Sequence, residues 1–187
     1  GRQWTGGVAE GALRETLEAG HARAVTGAIF QMIAHGLSTG ALFFLVGVIY
    51  DRRHTKEIAK LGGLATSAPK LAVCFVVATL ASIALPTTAG FVGEVLILLG
   101  VFETNKLFAV IGVTGMVLGA TYMLWAVQRV FFGPAEGENA TMEDIDRVEL
   151  IGVLPLLILG FVLGVAPGPF LERIEPAVQT LIQSYGG

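Results

Sequence analysis

The chain reads as an all-α, polytopic membrane helix bundle of about four transmembrane helices, the second of them broken near Pro86-Gly90. Three observations lead there. Apolar residues make up 53% and charged residues 14% of the 187 positions, far from the balance of a soluble domain. Four apolar runs exceed or approach the length that crosses a bilayer: about Gly27 to Tyr50, Leu71 to Phe102, Leu107 to Gln128, and about Leu150 to Ala166. The run from Leu71 to Phe102 is too long for one upright crossing, because a straight helix of that length measures ~48 Å against a hydrocarbon core of about 30 Å. It must tilt strongly or break.

Gly1 to Val25 is polar and glycine-rich, with a short helical patch near Ala12 to Ala24. It is expected to be an extramembrane leader or loop, or a damaged span, leaving residues 26–187 as the transmembrane part. The chain starts on Gly1 and lacks the basic end, apolar centre and cleavage site of a signal peptide, so it reads as a piece of something longer. In the first span Gln31, His35, Ser38 and Thr39 fall on one helical face. In the second, Pro86 removes a backbone donor and Gly90 tolerates unusual dihedrals, so the break is expected between them, with Thr87 and Thr88 inside it. Backbone freed at that depth must lie against protein or a water-filled cavity. The third span carries Thr114, Thr121, Trp125 and Gln128 at helical spacing. Hydrogen bonds between helices, worth about 0.6 kcal/mol each in membrane bundles, account for such stripes without any transport role. Small-residue pairs at Gly36/Gly40, Gly115/Gly119 and Gly160/Gly164 point to close helix packing.

Charge narrows the function. A formal net charge of -3 gives no reason to expect nucleic acid as a partner. The single cysteine, Cys74, excludes a disulfide framework within the chain, and His54 has no companion at metal-ligand spacing. No glycine-rich phosphate loop or Ser-His-Asp arrangement is present. The loop from Asp51 to Lys70 carries five basic residues, which places it on the cytoplasmic side with the acidic loop Gly133 to Glu149. Arg2, Arg14 and Arg23 oppose that orientation. The run Asp51 to Glu57 reads as a solvated turn with snorkelling side chains.

One residue stands apart: Glu94 is a lone carboxylate inside the apolar run, just after the break. An acid inside hydrocarbon is costly and marks a functional site by default, and transporter folds build ion sites at broken helices near the midplane. The plainer reading is a carboxyl held neutral by desolvation or paired with a base from outside this chain. An imidazole can donate on one nitrogen and accept on the other, which suits His35 equally to a proton relay and to a satisfied interior position.

The order of motifs carries a resemblance. Gly27-Ala28-Ile29-Phe30-Gln31-Met32-Ile33-Ala34-His35-Gly36, Gly47-Val48-Ile49-Tyr50-Asp51-Arg52, His54-Thr55-Lys56-Glu57-Ile58, Gly90-Phe91-Val92-Gly93-Glu94, Tyr122-Met123-Leu124-Trp125 and Asp144-Ile145-Asp146-Arg147-Val148-Glu149 resemble the antiporter-like membrane subunits of proton-translocating NADH-quinone oxidoreductase, respiratory complex I. The likeness runs from about Gly27 to Glu175. An acid at position 94 is similar to the chain M branch, the subunit-four homologue. In the chain L branch that position is usually lysine.

The resemblance implies the C-terminal third of a subunit of about fourteen helices, holding the second of two inverted repeats. It implies proton-path roles for Glu94 and His35, with Gln31, Thr39, Thr87, Thr88, Thr114 and Thr121 as channel-lining candidates and Pro86 and Gly90 at the helix break. The implied partners are other membrane subunits of complex I, the lipid bilayer and protons, in a bacterial inner membrane, with no nucleic acid. It implies no cofactor or metal in this chain, since NADH, flavin, iron-sulfur clusters and quinone would belong to other subunits. The nearest alternative is a subunit of a Mrp-type sodium/proton antiporter or membrane-bound hydrogenase, and the alternative of a different class is a structural anchor. One departure stands out: the family usually has Pro-Gly-Thr at the break, and here Pro86 is followed by Thr87-Thr88.

Overall fold

The computed structural model describes residues 4–185, as seven α-helices joined by short loops and two 3₁₀ turns. Helix α1 (Trp4–Arg53) is continuous for 50 residues. The expected leader is therefore helix from Trp4 onward, with residues 1–3 outside the described part. Nothing between Gly11 and Gly27 forces a break: there is no proline, and an Arg14–Glu18 pair at 2.9 Å supports the exposed face. Helix α2 (Leu64–Ser67) is a single turn leading into α3 (Pro69–Ser82). After the break come α4 (Ala89–Thr104), α5 (Lys106–Phe131), α6 (Arg147–Val165) and α7 (Gly168–Tyr185).

Among the described residues, three helices are long and apolar enough to cross a membrane, within Leu13–Arg53, Lys106–Phe131 and Arg147–Val165. The fourth crossing is divided. At 14 and 16 residues, α3 and α4 are each too short to cover about 30 Å at 1.5 Å per residue. Nothing in the sequence pattern anticipated α7, because its apolar residues are spaced rather than continuous. Val178 is buried and Phe170, Leu171, Ile174 and Ile182 are partly buried, whereas Glu172, Arg173, Glu175 and Gln179 face out. This is an amphipathic pattern repeating every four residues.

The ends of the helices are specified locally. Asn105 caps α5 by accepting from the N–H groups of Leu107 and Phe108, and Asp146 with Glu149 forms a capping box at the start of α6. Pro69 opens α3, where its missing N–H costs nothing. The two N–H groups that follow, Lys70 and Leu71, donate to the Asp144 carboxylate at 3.0 and 2.9 Å. Asp144 thereby ties the loop before α6 to the start of α3. The same loop is held to α1: Arg52 makes a two-pronged pair with Glu149 at 2.9 and 2.7 Å, and Arg53 pairs with Glu138 and donates to Asn139 Oδ1 at 2.8 Å. These two arginines are not snorkelling into solvent as the charge run suggested. They clamp the basic and acidic loops together on one side of the bundle.

The larger core lies at that end, where Leu45, Leu64, Leu71, Phe131 and Val153 are fully buried between α1, α2, α3, α5 and α6. A smaller one, Phe30, Ala34, Ala89 and Leu163, seals the bundle at the level of the break.

Helices α1 and α4 pack antiparallel along a seam of glycines. A Cβ on Gly100 would lie 2.5 Å from the Ala24 nitrogen, and one on Gly27 would lie 2.7 Å from the Ile97 nitrogen. With Gly20 and Gly93 these form two glycine pairs, each seven residues apart. Only residues without a side chain let the backbones approach so closely. The first part of α1, expected to be an extramembrane loop or a damaged span, thus supplies Gly20 and Ala24 to the α1–α4 interface. Of the small-residue pairs picked out in the sequence, Gly36, Gly115, Gly119 and Gly160 have no atom of another described element within 4 Å of their Cβ positions, and Gly40 meets only Leu156 at 3.8 Å. Gly164 does pack closely: a Cβ there would be 2.5 Å from Thr88 Cα, placing α6 against the break.

Candidate functional site

The break spans Ile83 to Thr88, a few residues earlier than Pro86-Gly90. It is ordered by two motifs in succession. Ala84, at φ 57, donates to Ala81 O at 3.3 Å while Leu85 donates to Leu80 O at 2.9 Å, the paired bonds of a Schellman C-cap. Leu85 then opens a turn closed by Thr88 N–H to Leu85 O at 3.0 Å, with Pro86 second and Thr87 third. Thr87 has φ 86, the sign that the third position of a Pro-led type II turn demands and that glycine meets without strain. The missing family glycine is therefore missing at a position where it would be favoured. Gly90 is already inside α4 and has no positive φ. Its lack of a side chain serves space instead, since a Cβ would be 2.8 Å from Ala81 O. Thr88 is buried and its hydroxyl donates back to Leu85 O at 2.7 Å.

Glu94 follows as the sixth residue of α4 and is half-buried. On one side it meets α1, where Gln31 Nε2 donates to Glu94 Oε1 at 3.4 Å. On the other it opens into a cleft of ≈ 200 Å³ between the end of α3, at Ser82 and Ile83, and the face of α5 carrying Gly115, Gly119 and Tyr122. Glycine at 115 and 119 leaves that face hollow, which is why the cleft exists. Polar groups line a space of this size beside a carboxylate, so it can hold water.

The remaining residues singled out in the sequence are dispersed around this point. His35 lies one turn beyond Gln31 on the same side of α1, and it is exposed. Its carbonyl accepts from Thr39 Oγ1 at 2.6 Å and from Ser38 Oγ at 3.3 Å. Thr114 and Thr121 are exposed and do not line the cleft beside Glu94. Their hydroxyls return to their own helix, at Ile111 O and Val117 O, 2.6 and 2.7 Å away. A hydroxyl satisfied in that way does not require a partner on another helix. Thr87 is exposed at the surface of the break. Among the described residues no group of three or more His, Cys, Asp or Glu side chains is placed to hold a metal ion. Sequence reasoning missed Ser82, Ile83 and Tyr122 in the cleft, and Asp144 and Glu149 as the anchors of the loops. Only the resemblance had drawn attention to these two acids.

Fold and site together define an integral membrane helix bundle with one interrupted crossing and a half-buried carboxylate at the interruption. The family profile described as "NADH:quinone oxidoreductase/Mrp antiporter, TM" matches residues 16–119. The chain belongs to that family. It is 45% identical over 168 residues to NADH-quinone oxidoreductase subunit M of Rhodobacter capsulatus, covering 89% of this chain and 33% of that protein. The subunit M proteins of Rickettsia prowazekii and Mycobacterium tuberculosis are 42% and 44% identical over 84% and 86% of this chain. Among solved structures, a chain of respiratory complex I from Thermus thermophilus with bound NADH superposes with a TM-score of 0.82 at 32% identity, covering 91% of this chain and 36% of its own length. The chain thus spans about a third of the length of the relatives it matches.

Proposed function

We propose that this chain is the C-terminal part of a proton-translocating membrane subunit of a bacterial NADH-quinone oxidoreductase, and that Glu94 loads and releases the proton. The observation that carries the reading is the placement of Glu94: half-buried just after an interrupted helix, hydrogen-bonded to α1 on one side and open to a cleft on the other. An acid so placed can receive a proton from one direction and give it up in another. In this reading the coupling is indirect. Quinone reduction elsewhere in the complex changes the electrostatics along a line of interior charges, and Glu94 changes its proton occupancy in response. NADH, flavin, iron-sulfur clusters and quinone belong to other subunits, which are also the partners of this chain in the inner membrane. His35, next to Gln31 on α1, continues the polar row away from Glu94 toward parts of the parent subunit beyond this chain.

The family description also covers Mrp antiporters, in which ion exchange would not depend on NADH. One experiment addresses both readings: proton uptake by inside-out vesicles energised with NADH, comparing the parent complex with Glu94→Gln at matched assembly. Loss of pumping together with slowed quinone reduction supports the proposal. Retained pumping makes Glu94 a structural carboxyl, and NADH-independent sodium/proton exchange by the parent protein would favour the antiporter reading.

A further inference from the structure

Gln31 is the only described side chain hydrogen-bonded to Glu94, and it uses only one half of its carboxamide. Its Nε2 faces the carboxylate, while its Oε1 is buried with no partner among the described residues. Leaving an amide oxygen unpaired in the interior costs roughly 1–3 kcal/mol, and an amide nitrogen in the same place costs about as much, so the buried position favours neither end of the amide and the carboxyl it faces decides between them. The amide is also closely seated. A Cβ on Gly93 would sit 2.9 Å from both Cα and Cβ of Gln31, so the glycine before Glu94 is what admits Gln31 to this position.

A carboxamide can answer either protonation state of a carboxyl. Turned one way it donates from nitrogen to the carboxylate; turned over about its last side-chain bond, it accepts through oxygen from the carboxylic O–H. We propose that Gln31 is a positioning residue for Glu94, turning its carboxamide over each time the acid gains or loses a proton. The inference rests on the reading of Glu94 as the proton site. In the ionised state Nε2 donates to Glu94 Oε1, as the structure has it. A proton delivered by water in the cleft on the α5 side forms the carboxylic O–H. Oε1 of Gln31 then accepts from it, and Nε2 swings to the buried position that Oε1 has left. Loss of the proton to water reverses both movements. No bond other than the O–H forms or breaks, and the amide ends each cycle where it began.

The surroundings leave this role to Gln31. Of the elements packed around Glu94, α1 contributes one other titratable group near Gln31, His35 one turn on, and α5 contributes Tyr122 in the cleft. The break and the end of α3 bring Ser82 and Ile83, and the charged residue of α3 is Lys70 in its first turn. Helix α7 brings Glu175 to a separate cavity beside Leu96.

The test is infrared difference spectroscopy of the intact complex across a pH titration, with glutamine side-chain amides labelled with nitrogen-15. A carboxyl band absent from Glu94→Gln assigns the acid. The expected result is a labelled amide band that changes in step with it, and that vanishes in Gln31→Met while the Glu94 band persists at a shifted frequency. NADH-driven pumping by Gln31→Met should fall about tenfold, the lower end of what one hydrogen bond to a charged group carries, because the contact is long at 3.4 Å. A Glu94 band with no accompanying amide signal in the unsubstituted complex overturns the proposal even if Gln31→Met fails to assemble. So does a Gln31→Met spectrum identical to that of the parent. Should Glu94→Gln still pump, the functional reading fails, and the amide–carboxyl coupling stands or falls separately on the spectra.

Discussion

The clamp between Arg52 and Glu149 can be tested in the assembled complex. Two charge-assisted contacts at 2.9 and 2.7 Å join side chains that are only 17% and 23% exposed. Removing one partner of a fully buried pair costs about 3–5 kcal/mol, and an exposed pair contributes about 0–1. The pair here lies between those limits, and Arg52 would keep Val48 O and Asp144 O as partners at 3.1 and 3.2 Å. Glu149→Gln should therefore cost about 2 kcal/mol of local stability. Glutamine retains the capping-box geometry, so the variant isolates the ion pair from the cap. Amide exchange at Asp146 and Glu149, whose N–H groups bond within the box at 2.8 and 2.7 Å, reports the opening of this loop. A loss of about 2 kcal/mol corresponds to exchange roughly 30-fold faster where opening is local. Arg52→Met should give a similar acceleration, and the double variant should fall short of the product of the two because the sites share one interaction. Exchange unchanged within about twofold in both single variants would refute the reasoning and leave the pair as a surface contact that happens to be close.

Three further outcomes follow from the packing. Thr87→Gly relieves a β-branched residue at φ 86 and, after the added freedom of the unfolded glycine, should stabilise the break by about 1 kcal/mol; a lower inactivation temperature of the purified complex would contradict this. Gly100→Ala drives a methyl to 2.5 Å from the backbone of Gly20 and Ala24, an overpacking cost of about 1–3 kcal/mol or more, and should reduce the amount of assembled complex on native gels. Asp144→Ala leaves the N–H groups of Lys70 and Leu71 without their acceptor, a loss of about 1–2 kcal/mol at the start of α3, measurable as faster amide exchange there with α5 unaffected.

What was legible in the sequence was whatever depends on neighbours along the chain. Apolar runs gave the crossings, Pro86 gave the break to within a few residues, and the isolation of Glu94 in an apolar run is what makes it the proposed proton site. The rest depends on distance in space. Arg52 and Glu149 lie 97 positions apart and Gln31 and Glu94 lie 63 apart, so no local pattern could pair them. At the start of α1 polarity and glycine content left loop and span both open, with only Ala12 to Ala24 read as helical, because its glycines face a helix 70 or more positions away. Helix α7 escaped because an amphipathic helix contains no continuous apolar run. For Thr114 and Thr121, helical spacing alone does not distinguish a hydroxyl that needs a neighbour from one bonded to its own backbone, as both are.

The break and the acid are linked by register. Gly93 can admit Gln31, and Gly100 can meet Ala24, only if α4 is rotated so that both glycines face α1. The six residues from Ile83 to Thr88 end α3 and restart α4 on its own axis and phase, while Gly164 of α6 presses on Thr88 and fixes where the restart occurs. A continuous helix through this segment would carry the phase of α3 into α4 and turn Glu94 by an amount set by the missing break. The interruption thus does more than free backbone groups at membrane depth. It sets which side of α4 meets α1, and so places the carboxylate between the Gln31 amide and the cleft.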